Sequence, residues 1–219
     1  MRKFLKPFVL IILLLITSRA FSQTQDVIVP GEILDKAKEW VSALKLTDAK
    51  KKIAAEQTIA IHLTTIRDWH NSHPASNIPD GINPVTGNKL SDLDKQIIAD
   101  SAIPGTVHQA LMEGLRKNLS PEQVETILNK YTIGKVDFTM KGYKAIVPDL
   151  AADEEAKILA FLKQAREQAI DFKNMKQISA IFEIYKTKSE QMLNNNGRNW
   201  RTLYSAYTRK IKEEKAAKQ

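Results

Sequence analysis

The chain has 219 residues, of which 33 are lysine or arginine and 25 are aspartate or glutamate, giving a formal net charge of +8. Hydrophobic residues make up 43% and charged residues 26%, a globular composition that excludes a disordered or collagen-like chain. Because there is no cysteine, a disulfide framework, a thiolate nucleophile and a cysteine-ligated zinc site are excluded. The length suits one domain.

The first 22 residues follow the three-part pattern of a secretory signal peptide. A basic start precedes an unbroken apolar run over residues 8–16, and small side chains at Ala20 and Ser22 offer a cleavage site before Gln23. The alternative is an uncleaved membrane anchor, but this run is shorter than the roughly 20 residues that span a bilayer. We therefore expect a periplasmic or secreted protein with no transmembrane segment after cleavage.

Export also changes the charge balance, because all four charged residues of the signal segment are basic. The mature chain, from residue 23, keeps 29 basic and 25 acidic residues, a net charge of +4. An exported protein is not expected to bind nucleic acid. The remaining positive charge suits an acidic partner, either a uronate-containing polysaccharide or an anionic membrane surface.

Most of the mature chain is predicted to be helical. After an extended leader over residues 23–30, apolar residues repeat with a 3.6-residue period over residues 33–44. Thr47 is placed to cap a second helix that runs to about Trp69. A long loop follows at about 73–90, where proline, glycine and asparagine interrupt the pattern, and loops of this length are functional or mobile.

The second half of the chain continues the helical pattern with interruptions. Helix resumes at Ser91, breaks near Pro104, continues over residues 106–119 and starts again at Ser120, which with Gln123 matches a capping box. Residues 132–148 alternate only weakly and predict an irregular connection, with a short helix or a short strand as alternatives. Three long helices close the chain, at about 153–172, 176–194 and 199–215.

These segments predict an all-α, bundle-like single domain of about six helices over residues 31–216. No strand–helix–strand unit is present, which excludes a Rossmann or TIM-barrel fold. The sequence also lacks a P-loop, a dinucleotide-binding loop, a His-Glu-x-x-His motif and a nucleophile elbow. We therefore predict no cofactor and no metal, and the sequence identifies no catalytic residue, which leaves open whether the protein is an enzyme.

The first candidate binding cluster lies at the end of the second predicted helix. A carbohydrate site combines an aromatic ring, which covers the apolar face of a sugar, with charged or amide groups for its hydroxyls. Arg67, Asp68, Trp69 and Asn71 have such side chains, and the neighbouring His70 is a further candidate. The alternative is an ordinary helix end with Trp69 in the core and the two charged residues paired in solvent.

The second candidate cluster lies in the irregular segment 135–143. Irregular segments between helices often carry functional residues, and this one could place Asp137, Lys141 and Tyr143 in a cleft. The alternative is a packed crossover in which its aromatic side chains and Met140 fill space.

The third candidate cluster belongs to the last predicted helix. Trp200, Tyr204 and Tyr207 follow helical spacing, a pattern more typical of a core seam than of a binding surface. Arg198 and Arg201 lie beside this stripe and could flank a groove for an acidic ligand.

Several short segments of the mature chain carry a family resemblance: residues 119–124, Lys141-Gly142-Tyr143 with Pro148 and Leu150, residues 162–169 around Gln164–Glu167, Trp200 with residues 209–213, and more faintly 66–68. They resemble a family of secreted bacterial all-helical proteins of unknown function, described as candidate sugar-binding proteins and associated with polysaccharide-utilisation genes. Residues 73–105 depart from that family. The resemblance implies an exported helical domain with a carbohydrate role, and it supplies no established catalytic residues.

The leading hypothesis is therefore an exported helical protein that binds polysaccharide, an acidic one included, or helps to process it. A periplasmic chaperone or stress-adaptor protein is one alternative, because Leu119–Gln123 resembles a motif of small helical periplasmic chaperones. The same residues are equally typical of an ordinary helix N-cap in which the preceding leucine forms a hydrophobic staple. An unrecognised glycan-active enzyme is the other alternative.

Overall fold

A computed structural model describes residues 27–84 and 86–217 of the chain. In these ranges the chain forms nine α-helices and no β-strand, which confirms the all-α class. The expected count of about six main helices was too low, because the segments on both sides of the predicted break at Pro104 form full helices and residues 135–146 are also helical. The helices are α1 (Gly31–Ser42), α2 (Ala49–Ser72), α3 (Asp92–Ser101), α4 (Gly105–Asn118), α5 (Pro121–Tyr131), α6 (Lys135–Ile146), α7 (Ala152–Ala169), α8 (Met175–Asn195) and α9 (Trp200–Ala216).

Polar caps explain where several helices begin. The predicted capping box of α5 is confirmed, since the Ser120 hydroxyl accepts from the Gln123 amide and the Gln123 side chain accepts from the Ser120 amide. The cap predicted for α2 was wrong by one residue. Asp48, not Thr47, accepts from two backbone amides of the first turn, because its carboxylate reaches both donors at 2.9 and 3.1 Å.

The segment predicted to be irregular is the helix α6. It starts after Gly134, whose left-handed backbone (φ 65°) ends the preceding turn and redirects the chain. Val136, Met140 and Tyr143 then follow helical spacing and are buried on one face. The segment also contains a mid-helix glycine and β-branched residues, which lower its helix propensity. The sequence therefore predicts this helix only weakly.

The long connection between α2 and α3 is largely held by α3. It contains a 3-10 turn (Ala75–Asn77) and an isolated antiparallel bridge between Ile82 and Lys89. The Gln96 side chain of α3 accepts from the Ala75 amide at 2.9 Å, so the loop is anchored by polar contacts rather than by apolar burial.

The buried apolar side chains form two clusters. The first joins α1, α2, α4 and α5, and its fully buried members include Ile59, Leu115 and Ile127. The second joins α6, α7 and α8 around Leu162 and Phe182. Burial of such side chains, at about 25 cal/mol per Å² of apolar surface, stabilises each set of helices.

Polar contacts connect the two clusters. Arg166 of α7 is buried and donates to Asn129 at 2.6 Å and to Glu125 at 2.7 Å, both on α5. Nearby, Asp171 accepts from His62 of α2 and His108 of α4, each at 2.9 Å. Buried charged groups that are paired in this way hold elements in a fixed register more than they add net stability.

Two parts of the predicted organisation concern residues outside the described ranges. The predicted signal peptide, residues 1–22, lies outside them, as does the first half of the leader at 23–30. Among the helices that the structure describes, none has the length and apolar composition required to cross a membrane.

Candidate functional site

A groove of about 630 Å³ opens to solvent between α6, α8 and α9. It differs from the other large concavity, between α1 and α2, whose lining is mostly charged and contains no aromatic ring. The lining residues of the groove are Phe138, Thr139, Lys141, Gly142, Tyr143, Ala145 and Ile146 from α6, Lys186 and Glu190 from α8, and Trp200, Tyr204 and Tyr207 from α9.

One wall of the groove is an aromatic stripe on α9. Trp200, Tyr204 and Tyr207 are spaced four and three residues apart and therefore share a helix face. The rings of Trp200 and Tyr204 stack with centroids 6.0 Å apart, and Trp200 meets the buried Tyr143 at 5.2 Å. None of the described residues of α9 is buried, and Tyr204 is 50% exposed. The stripe is thus partly open to solvent, although Trp200 also packs against the second core cluster.

The opposite wall is a face of α6 on which Phe138, Lys141, Gly142 and Ala145 follow helical spacing. Phe138 is 78% exposed, so it does not fill space in the core as the packed-crossover interpretation required. A Cβ atom at Gly142 would meet no atom within 4 Å. Glycine inside a helix costs about 1 kcal/mol relative to alanine, and here its structural effect is to keep the groove open.

Charged and hydroxyl groups lie in and beside this apolar lining. Tyr143 donates to the Lys186 carbonyl at 3.1 Å, and the Lys186 ammonium contacts both oxygens of Glu183 at 2.9 Å. Burial raises the pKa of Glu190, with the Glu183 carboxylate acting in the same direction and Lys186 opposing it. Lys141 is exposed and has no ion-pair partner among the described residues.

Arg198 attaches the start of α9 to α7. Its guanidinium contacts the buried Glu154 at 2.8 to 3.0 Å and Asp149 at 3.0 Å. The hydrogen bond from Arg198 lowers the pKa of Glu154 to about 2 and raises that of the arginine. This cluster fixes the α8–α9 turn and hence the position of the aromatic stripe.

The structure brings only some of the predicted residues together. Lys141 and Tyr143 line the groove, whereas Asp137 is exposed in the first turn of α6 and is not part of the lining. Arg198 is engaged by Glu154 and does not line the groove, and neither does the exposed Arg201 beside Trp200.

The predicted cluster at the end of α2 packs against α3. The Trp69 indole donates to the Ala99 carbonyl at 3.2 Å, and its ring stacks on His73 with centroids 3.8 Å apart. His70 contacts Asp100 at 2.6 Å. Arg67 pairs with Asp68, next to it in the chain. Trp69 and His70 are thus partly buried and hydrogen-bonded, and His73 covers one face of the Trp69 ring.

The four histidines lie in two polar networks: His62 and His108 share Asp171, while His70 contacts Asp100 beside the Trp69–His73 stack. His108 contacts Asp171 at 2.9 Å and Glu167 at 3.2 Å, and these two hydrogen bonds raise the pKa of His108 to about 10. It is therefore an imidazolium at neutral pH, with both nitrogens occupied by carboxylates. Over the described residues, no three histidine or acidic side chains are arranged to hold a metal ion.

Sequence reasoning missed three residues of the groove: Phe138 as an exposed side chain, and Lys186 and Glu190 altogether. A signal for Phe138 was present, because Phe138, Lys141, Gly142 and Ala145 follow a helical period that was read as irregular. No comparable signal marks Lys186 or Glu190, which are ordinary charged residues on a long helix.

The groove can accommodate a ligand that offers both apolar faces and polar edges. Exposed aromatic rings on two sides supply contact area, while Lys141, Lys186 and Glu190 supply donors and an acceptor. A family model described as "Protein of unknown function (DUF3826)" matches residues 31–213 of the chain. No curated protein matches the chain.

Proposed function

The chain belongs to that family of unknown function, so its activity has to be inferred from its site, and we propose that the groove between α6, α8 and α9 binds carbohydrate. The observation that carries the proposal is the pair of facing aromatic walls. Phe138 on one side and Trp200 and Tyr204 on the other are exposed or partly exposed around the open position at Gly142.

Pyranose rings present C–H groups on their faces and hydroxyls around their edges. Aromatic rings cover the first and charged or amide groups bind the second, which is the combination that this groove offers. Glu190 can accept hydrogen bonds from adjacent hydroxyls, and Lys141 can donate to a hydroxyl or to a uronate. The groove is open, so we infer that it takes a segment of a longer polysaccharide rather than an enclosed monosaccharide.

We also propose that the protein acts outside the cytoplasm, in the periplasm or beyond. The support is the basic, apolar and small-residue pattern of residues 1–22. Mass spectrometry of the protein recovered from an expressing bacterium should find a chain that begins at Gln23. Recovery of the full-length chain from the membrane fraction would instead assign residues 1–22 to an uncleaved anchor.

Tryptophan-fluorescence titration tests the binding proposal. The chain from Gln23, which contains every residue that the structure describes, is titrated with neutral and with uronate-rich oligosaccharides at low and moderate salt. Saturable quenching by one class is expected, and a loss of affinity with added salt would show that the lysines bind an acidic sugar. Product analysis of the same mixtures separates binding from cleavage.

A pair of variants locates the site. Tyr204→Ala should weaken binding about tenfold, because it removes one stacking surface while leaving the core intact. Trp69→Phe, at the alternative cluster on α2, should bind like the wild type. The opposite result, with Tyr204→Ala unaffected and Trp69→Phe impaired, would move the site to the end of α2. No quenching by any glycan would count against carbohydrate binding.

A further inference from the structure

Ile133 occupies a position that the rest of the described chain does not explain. It follows α5 with a left-handed backbone (φ 52°), and the Gly134 amide closes this turn on the Asn129 carbonyl at 2.9 Å. Such helix-terminating positions favour glycine, because a Cβ atom is crowded there and a β-branched side chain is crowded further. The backbone at this position is therefore strained by the residue it carries.

No burial of the side chain offsets that strain. Ile133 is 71% exposed, although it is a large apolar residue. Strained residues that persist without a folding benefit are a recognised feature of functional sites. A contact with something outside the chain would explain why an isoleucine stands here.

The surroundings of Ile133 define what such a partner must be like. Two shallow grooves flank it, of about 430 and 470 Å³, and both are lined by Ile133, Trp40 and Lys130. Met175, which is 38% exposed, lies in the larger one. The apolar surface that a partner could contact thus consists of the protruding Ile133 side chain with Met175 beside it.

The same surface is basic. Lys36, Lys130 and Lys173 line the larger groove, and Glu39 is its one acidic lining residue. Lys36 lies over the Trp40 ring at 5.1 Å and Lys173 donates to Asn71, a neutral group. Within the described ranges, no carboxylate lies within ion-pairing distance of these three ammonium groups. Their charge is therefore available to an anionic partner.

We propose that this surface, comprising Ile133, Met175, Lys36, Lys130 and Lys173, docks the protein onto an anionic lipid bilayer. A stable protein partner buries roughly 800 Å² of polar and apolar surface on each side around an apolar centre, and one projecting isoleucine with a methionine beside it does not provide such a centre. A fluid bilayer accepts isolated apolar side chains between its headgroups, and its anionic surface attracts every nearby lysine. This inference concerns a surface separate from the carbohydrate groove and does not depend on it.

Co-sedimentation with lipid vesicles tests the proposal. The chain from Gln23 is mixed with vesicles of phosphatidylcholine alone or of equal parts phosphatidylcholine and phosphatidylglycerol. Binding is expected only with phosphatidylglycerol and should weaken as salt is added. Ile133→Gly should lower binding about tenfold while raising Tm, because glycine relieves the backbone strain.

A matched pair of charge variants tests the lysines. Lys130→Gln combined with Lys173→Gln should lower vesicle binding by about fivefold for each lysine near the surface. Lys50→Gln combined with Lys51→Gln removes the same charge from exposed positions at the far end of α2 and should change binding less than twofold.

Three results would overturn the proposal. The first is an absence of binding to the anionic vesicles. The second is equal loss in both lysine pairs, which would indicate general charge attraction only. The third is a concentration-dependent dimer that Ile133→Gly abolishes while vesicle binding is unchanged, which would assign this surface to a second copy of the chain.

Discussion

The indole ring of Trp200 stacks on the phenol ring of Tyr204 one turn later, with an angle of 26° between the two planes, on a helix from which no described side chain is buried. Aromatic pairs on a terminal helix normally bury themselves against the core, since each ring removes a large apolar area from water. Here the pair forms one wall of an open groove. The arrangement leaves apolar surface exposed on α9, and a ligand that binds in the groove would bury this surface.

The first prediction concerns substitutions at Gly142, which should not lower the stability of the fold but should weaken oligosaccharide binding when the new side chain is large. Gly142→Ala should stabilise the protein by about 0.5 to 1 kcal/mol, since alanine favours a helix interior and its Cβ atom meets nothing within 4 Å. The variant Gly142→Leu should also fold, but it would place a branched side chain in the groove. Its affinity for oligosaccharide should fall at least tenfold, as measured by titration alongside thermal unfolding.

Gly114 is the matched control for this glycine. It also lies inside a helix, but a Cβ atom there would lie 2.6 Å from the Thr58 side chain. Gly114→Ala should therefore destabilise the fold by about 1 to 3 kcal/mol through overpacking and leave the affinity of the remaining folded protein unchanged. If Gly142→Leu retains wild-type affinity, the groove beside that glycine is not the binding site.

The Arg198–Glu154 contact gives the second prediction. Arg198→Ala should cost about 2 kcal/mol of stability at pH 7, because it leaves a buried carboxylate without its charged donor. It should also weaken oligosaccharide binding, since the α8–α9 turn is no longer fixed to α7. Arg201→Ala, which removes an exposed arginine one turn away, serves as the control for the loss of charge.

The same contact makes stability depend on acidic pH. Glu154 has a folded-state pKa of about 2, below its ordinary value of 4.5. Its contribution is therefore complete above about pH 4.5 and is lost as the pH falls toward 2. Urea unfolding between pH 5 and pH 2.5 should show the difference between wild type and Arg198→Ala shrinking. A constant difference would mean that Arg198 acts through packing alone.

His108 gives the third prediction, at alkaline pH. Its hydrogen bonds to Asp171 and Glu167 raise its pKa from 6.5 to about 10 in the folded state. Its stabilising effect is thus complete below about pH 6.5 and is lost as the pH rises toward 10. For Asp171, burial alone would raise the pKa, but the hydrogen bonds from His108 and His62 lower it, so this carboxylate stays charged across that range.

Thermal unfolding of His108→Gln checks this network. At pH 7 the variant should be less stable than the wild type by about 2 to 3 kcal/mol, because two carboxylates lose their shared cation. The difference should narrow steadily between pH 7 and pH 10. A wild type whose Tm does not fall over that range relative to the variant would show that His108 is not charged in the folded protein.

Local signals in the sequence predicted most of the helices. The Ser120–Gln123 capping box acts within one turn, so its effect can be predicted without the tertiary structure. The start of α2 shows the limit of this reasoning. Thr47 and Asp48 are both good caps, and the geometry of the entering chain decides between them.

The helix α6 was harder to predict, because its glycine and β-branched residues lower the helix propensity of the segment. Tertiary packing of Val136, Met140 and Tyr143 onto α7 and α8 overrides this weak propensity. The misreading concealed the face that carries Phe138 and Gly142.

The groove itself depends on contacts distant in sequence. Its walls are separated by about 60 residues, and the Arg198–Glu154 contact that positions them spans 44 residues. The types of Lys141 and Tyr143 suggested binding, whereas the spacing of the α9 aromatics favoured a core seam, because spacing along one helix cannot reveal which other helix faces it. Glu190 and Lys186 became recognisable only once α8 was placed beside α6 and α9.

The three tryptophans provide the most direct test of the central claim, because each reports one location: Trp40 in the first core cluster, Trp69 between α2 and α3, and Trp200 in the groove. We would record the three indole N–H signals of the ¹⁵N-labelled chain by NMR while adding the oligosaccharide that quenches fluorescence. A shift confined to the Trp200 signal is the predicted result. A shift of the Trp69 signal with Trp200 unchanged would contradict the groove as the carbohydrate site.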